Sequence, residues 1–202
     1  MILDQIPGYR EAMAAAEMEE ESLRDFAYTG WSDSICGVEV KQFTPRHFLL
    51  LCSLKSPFLC GGDPAPEDVG LFLWVVSLGF KPFDLEARDL FLQSVIDTPY
   101  IETVAEVRAY IDRARFDRPS NGSGSTPVSS FFASLVHVFA SEYGWSREQV
   151  LDSPFAALYQ ELRMIIREHN PNRPFPNRIS DRVKQLVINK HLKALERKNK
   201  RK

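Results

Sequence analysis

Four side chains in the first third of the chain are of metal-ligand type: Cys36, His47, Cys52 and Cys60. Zinc sites usually draw two of their ligands from positions a few residues apart. No CxxC or HxxxH pair is present, and His47 and Cys52, five apart on an expected helix, point different ways. The spacing predicts three small buried thiols and a helix histidine, with no metal and no cofactor. Nucleophilic chemistry finds no better footing, because there is no GxSxG elbow and no cysteine in a recognisable nucleophile motif. His137 falls in an apolar helical run and reads as a hydrogen-bonded core or surface histidine rather than a base. His169 and His191 fall near the C-terminal ends of expected helices, where a partly charged imidazole complements the dipole.

Gly61-Gly62 and Gly122-Ser123-Gly124 lack a following lysine-serine or lysine-threonine pair, so neither is a phosphate-binding loop of the P-loop kind. The carboxylate pairs Asp63 and Asp68, and Glu102 and Glu106, suit loop and helix-surface positions. No set of residues fills the roles that a reaction requires, so the expectation is a protein that is not an enzyme. The strongest remaining feature is the basic end, KHLKALERKNKRK. Lys193, Arg197, Lys198, Lys200, Arg201 and Lys202 are its candidate phosphate contacts, and nucleic-acid binding through them predicts strong salt dependence. The segment has no interleaved aromatics for base stacking, and a solvated helix end is the plainer reading.

The elements that carry these residues read as mainly α: a multi-helix bundle with a small β-hairpin or extended piece near residues 34–43. Residues 7–27 look helical, with Pro7 at the start, a run of alanines and Gly30 as the stop. In SICGVEVKQF, Ile35, Val38, Val40 and Phe43 around Gly37 suggest the hairpin. Thr44-Pro45 should cap a helix to about Leu54, which Ser56-Pro57 stops. After the turn-rich loop from Gly61 to Pro66, a helix with Val69, Phe72, Leu73, Val76 and Leu78 is the expected centre of the core, ended by Gly79. Asp84 should cap the next, with Leu85, Phe91, Leu92, Val95 and Ile96 inward. Thr98-Pro99 should cap another, running to about Phe116 on the stripe Val104, Val107, Ile111 and Ala114.

PSNGSGST, residues 119–126, has the composition of a flexible linker. It divides the chain into an N-terminal helical subdomain with the hairpin, 1–118, and a C-terminal helical subdomain with the basic tail, 127–202. The longest punctuated helical signal opens the second part. From Pro127, the apolar residues around Leu135 and Phe139 cover most of a helix circumference, which predicts burial on several sides. Gly144 suits a left-handed stop. Ser146 and Gln149 have capping-box spacing, and Ser153-Pro154 reads as a cap followed by proline at the first position of a long helix. That helix presents Phe155, Leu158, Tyr159, Leu162, Ile165 and Ile166 on one face. The prolines between Asn170 and Pro176 demand a loop, and a last helix should begin near Ser180 with Val183, Leu186, Val187 and Leu195.

Charge is polarised: residues 1–30 carry seven acids against two bases, and residues 173–202 carry eleven bases against two acids. The acidic cluster at Glu17 to Glu21 suits a solvated face, with a patch for a basic partner as the alternative. Three cysteines and no recognisable export signal lead us to expect free thiols in a reducing cytoplasm. The longest apolar run, Val69 to Phe80, is too short to span a bilayer and reads as a core helix, so no membrane association is expected.

Two blocks resemble known proteins. FTPRHFLLLCSLKSPFLCGGDPAPEDVGLFLWVVSLGF, residues 43–80, is similar to a pattern in small phage and prophage proteins. YGWSREQVLDSPFAALYQELRMI, residues 143–165, resembles a motif of the tail assembly chaperones of tailed bacteriophages. The resemblance implies a helical, non-enzymatic protein made in the host cytoplasm and absent from the mature virion. Its implied partners are the tape-measure protein and tail-tube subunits, held by helix-in-groove contacts. Trp145, Phe155 and Tyr159 are the aromatic candidates for such a surface, with a core role the plainer reading of each. Two alternatives stand beside it: a nucleic-acid-binding or packaging-associated protein using the basic C-terminal helix, and a structural virion adaptor.

Overall fold

The computed structural model describes residues 6–26, 28–30, 32–115, 130–172, 183–189 and 191–193. The linker expected at 119–126, Pro127, Phe116, Leu195 and the end of the chain from 194 lie outside the described residues. Within them the fold is mainly α with one small antiparallel hairpin. The helices are α1 (Tyr9–Phe26), α2 (Pro45–Ser53), α3 (Pro57–Cys60), α4 (Pro66–Val76), α5 (Leu85–Ser94), α6 (Tyr100–Arg115), α7 (Phe131–Tyr143), α8 (Arg147–Asp152) and α9 (Phe155–His169). Residues 183–189 and 191–193 are also helical.

The hairpin pairs β1 (Asp33–Ile35) with β2 (Val38–Val40), matching Asp33 to Val40 and Ile35 to Val38. Its two turn residues, Cys36 and Gly37, both have positive φ, 45° and 82°. That is the turn whose twist matches a right-handed strand pair. The hairpin is pinned to α6 from two sides. Arg113 forms a 2.7 Å ion pair with Asp33, and the Cys36 N–H donates to the Glu106 carboxylate. Ile35 and Val40 are completely buried.

Local capping sets most helix starts. Thr44 caps α2, its hydroxyl accepting the His47 N–H at 3.3 Å, while the Thr44 N–H donates to His47 Nδ1. Asp68 accepts the Ala65 N–H at 2.8 Å at the head of α4. Asp84 accepts the Ala87 N–H at 2.9 Å and opens α5. Ser146 and Gln149 exchange bonds of 3.2 and 2.7 Å at α8. Each satisfies N–H groups that a first helical turn otherwise leaves unpaired.

Four local expectations need correction. Helix α4 stops at Val76 rather than Gly79, because Ser77 turns to extended backbone and bridges Val40, with the Lys41 N–H donating to the Val76 carbonyl at 2.8 Å. Leu78 consequently lies outside the core and is exposed. Thr98 does not cap α6 with its side chain: its hydroxyl donates back to the Val95 carbonyl. Ser153 likewise closes α8 by donating to the Gln149 carbonyl, and Pro154 occupies the cap position of α9. Helix α7 begins at Phe131 with Ser130 as its cap, and of its residues only Leu135 and Phe139 are buried.

The main core centres on α4. Val69, Phe72, Leu73, Val75 and Val76 pack with Ile35, Val40, Phe43, Leu51, Val107, Tyr110 and Ile111. Phe72 meets Phe43, Phe58 and Tyr110, and the Tyr110 hydroxyl donates to the Lys41 carbonyl at 2.5 Å. Gly70 lets α5 approach closely, since a Cβ there would stand 2.8 Å from a Leu92 methyl. Phe155 and Tyr159 of α9 belong to this same core. A smaller core joins Leu135 and Phe139 of α7 to Val150 of α8 and Leu158 of α9. Burying a large apolar side chain contributes about 1.5–3 kcal/mol, so the aromatic cluster around Phe43 and Phe72 is a major source of stability.

Candidate interaction surface

Among the described residues, no three His, Cys, Asp or Glu side chains are arranged to hold a metal ion. Cys36 and Cys52 are half-buried and Cys60 is exposed, so the expectation of three buried thiols is wrong for Cys60 and only partly right for the others. All three are free. Their positions on the hairpin turn, α2 and the end of α3 put them on separate elements.

His47 is buried, 6% exposed, and stacks on Phe43 with ring centroids 6.1 Å apart. Burial, with the charges of Lys41 and Arg46 adding to it against the pull of Asp152, pushes its pKa down to about 4. The imidazole is therefore neutral at pH 7, with Nδ1 free to accept the Thr44 N–H. It serves as the third residue of a capping box, a position usually held by Glu or Gln. His137 is exposed on α7. His169 ends α9 with Nε2 3.5 Å from Glu142 Oε1. Two of the four carboxylates singled out by sequence have structural uses here: Asp68 caps α4, and Glu106 holds the hairpin turn.

Phe155 and Tyr159, offered by sequence as partner contacts, are each 2% exposed and stacked on one another at 5.6 Å. Phe155 also meets Phe43, Phe48 and Phe132. Both are core residues, closed to a partner on this surface. Trp145 is half-buried and stacks on Phe139 at 5.2 Å, with Tyr143 beside it. Its position follows from Gly144, whose left-handed backbone (φ 66°) turns the chain so that the Trp145 N–H donates to the Phe139 carbonyl. Of the basic candidates, Lys193 is exposed on the last described helical residues. Arg197, Lys198, Lys200, Arg201 and Lys202 lie outside the described residues.

The exposed apolar side chains gather elsewhere. Between Phe83 and Ile101, six large apolar residues face solvent: Phe83, Leu85, Leu90, Ile96, Tyr100 and Ile101. Phe83 is 99% exposed and Ile96 77%. The cause lies in how α5 packs. It presents Phe91 to Trp74, ring centroids 5.4 Å apart, and Leu92 to Gly70, and it buries no residue fully. A ten-residue helix that touches its neighbour along one edge leaves its other apolar residues uncovered. Leu85 and Ile96, expected inward, therefore belong to the surface. Helix α6 continues it, because its buried stripe of Thr103, Val107, Tyr110 and Ile111 turns Ile101 outward. The Tyr100 hydroxyl donates to the Pro64 carbonyl and ties the start of α6 to the proline loop.

This surface has two further traits. Phe83 has φ 67°, a left-handed backbone that a bulky residue adopts only at a cost. The run from Lys81 to Glu106 also carries six acids against two bases, and one of those bases, Arg88, is paired with Asp89 at 2.7 Å. Single exposed leucines are ordinary, whereas a concentration of apolar residues rimmed by charge is typical of a binding surface. Sequence periodicity missed it because Leu85, Leu92 and Ile96 do fall at helical spacing. The available signal was quantity, since α5 and its flanks hold more large apolar residues than one buried edge can take.

No described helix is long and apolar enough to cross a membrane. Comparison with known family models, curated proteins and solved structures finds no match to this chain.

Proposed function

We propose that this chain is a non-enzymatic helical interaction protein that acts as a tail assembly chaperone of tailed bacteriophages. In this reading it works in the host cytoplasm, covers apolar helical stripes of the tape-measure protein before the tube encloses them, and also meets tail-tube subunits. The observation that carries the interaction part is the run of six exposed large apolar side chains from Phe83 to Ile101, on and around α5, a helix with no fully buried residue. An amphipathic client helix laid against α5 would remove both apolar faces from water, the physical basis of helix-in-groove recognition. The phage assignment draws its support from the resemblance of residues 43–80 and 143–165.

The test is co-expression with the tape-measure protein of the same genome. The expected result is a soluble complex that co-elutes with the chain and is lost with Phe83→Ser and Ile96→Asp together. A tape measure that stays insoluble, with no complex eluting, overturns the client assignment. Recovery of the chain in purified particles favours the virion adaptor instead.

A further inference from the structure

The surface from Phe83 to Ile101 has a physical complement in the same sequence. Residues 183–202 carry eight bases, Lys184 through Lys202, against the single acid Glu196, while residues 81–106 carry six acids against two bases. The described part of that segment is helical and exposes two leucines, Leu186 at 60% and Leu192 at 44%, beside exposed Lys193. One stretch is thus apolar and net acidic in sequence; the other combines exposed leucines with a net basic sequence. Among the described residues, Leu186 and Leu192 of the one and Ile96 and Ile101 of the other are all exposed within a single chain.

We infer that the occupant of the acidic apolar surface is the basic C-terminal segment, residues 183–202, of a second copy of this chain, and that two copies exchange these segments reciprocally. Each copy carries one donor segment and one acceptor surface. A one-way contact would leave a free donor and a free acceptor at the ends of an open array, whereas mutual exchange satisfies both and closes with two-fold symmetry. Opposite net charge on the two stretches fixes the direction of docking and excludes acceptor-to-acceptor pairing, where acids would face acids. The exposed leucines and isoleucines supply the apolar contact, with the lysines reaching the acids around them. The inference uses the surface assigned above to a client but requires no client.

Sedimentation velocity on the full chain tests it, over concentrations up to about 0.5 mM, at salt of about 0.05 M and about 0.5 M. The expected result is a monomer–dimer equilibrium that weakens with salt. Two double variants at exposed positions, Ile96→Asp with Ile101→Asp and Leu186→Asp with Leu192→Asp, should each raise the dimer Kd about tenfold or more, with circular dichroism and melting unchanged. Mixing the two variants should recover a heterodimer, because one donor and one acceptor remain intact between them. Three results overturn the inference: a monomer at every concentration in low salt, a dimer indifferent to Leu186→Asp with Leu192→Asp, or a mixture that forms no heterodimer.

Discussion

The backbone N–H of Phe155 donates to the carbonyl of Phe43 at 2.9 Å, across more than a hundred residues of sequence. The first amide of α9 is therefore satisfied by the corner where the hairpin strand turns into α2. The two rings pack in the same place, 5.8 Å apart. Phe155→Ala removes a side chain that meets the rings of Phe43, Phe48, Phe132 and Tyr159 and leaves a cavity at that junction. We expect a loss of about 3–5 kcal/mol, read as a shift in the urea midpoint with the slope unchanged.

His47 makes stability depend on pH. Its folded pKa is near 4, below the unfolded value of 6.5, so the unfolded chain binds the proton more readily. The stabilisation is complete above pH 6.5 and is lost progressively as pH falls towards 4. The shift corresponds to about 3 kcal/mol. His47→Gln keeps an acceptor at the third position of the capping box and removes the titration. The difference in unfolding free energy between wild type and variant should shrink steadily from pH 7 to pH 4; a constant difference would show that His47 does not titrate this way.

Arg46 and Asp152 join α2 to α8 through two bonds, 2.5 Å from Nε and 2.9 Å from Nη2. The paired guanidinium lowers the Asp152 pKa, so the interaction holds above the ordinary carboxylate range and fades as pH drops through the lowered value. Both side chains are roughly half-exposed, 43% and 56%. Solvent screening limits such a pair to about 0.2–1 kcal/mol. A double-mutant cycle with Arg46→Ala and Asp152→Ala should return a coupling energy in that range, smaller in high salt.

Phe83 offers the opposite kind of change. Its side chain is 99% exposed and its backbone is left-handed, so nothing buried is lost on replacement. Asparagine tolerates that conformation far better. Phe83→Asn should raise stability by up to about 1 kcal/mol in thermal melts, while weakening any partner that docks on α5.

What could be read from sequence was whatever short-range chemistry decides. Thr44, Asp84 and the Ser146–Gln149 pair act within three or four residues of their targets, and Gly144 needs only its own backbone freedom; all four sit where the pattern puts them. The buried stripe of α6 was legible for the same reason, since Val107, Ile111 and Ala114 follow one helical period. The misses trace to contacts between distant segments. The bridge from Val40 to Ser77 ends α4 three residues early and expels Leu78. The bond from Phe155 to Phe43 makes a serine cap unnecessary at α9. The candidate surface was the least legible part, because an apolar helix stripe looks the same whether a neighbour covers it or not. His47 was recognised as a helix residue, but its capping role was hidden by a residue type rare at that position.

Adjacent residues on α9 belong to different hydrophobic clusters: Leu158 to the smaller and Tyr159 to the larger. The helix is thus a party wall, and neither room can be dismantled while it stands. Loosening α7 and α8 alone would bare Leu158 without freeing Tyr159, and opening the larger side would strand Leu158. Melting should accordingly register as a single event by every probe, with the α9 amides among the last to exchange their hydrogens for deuterium.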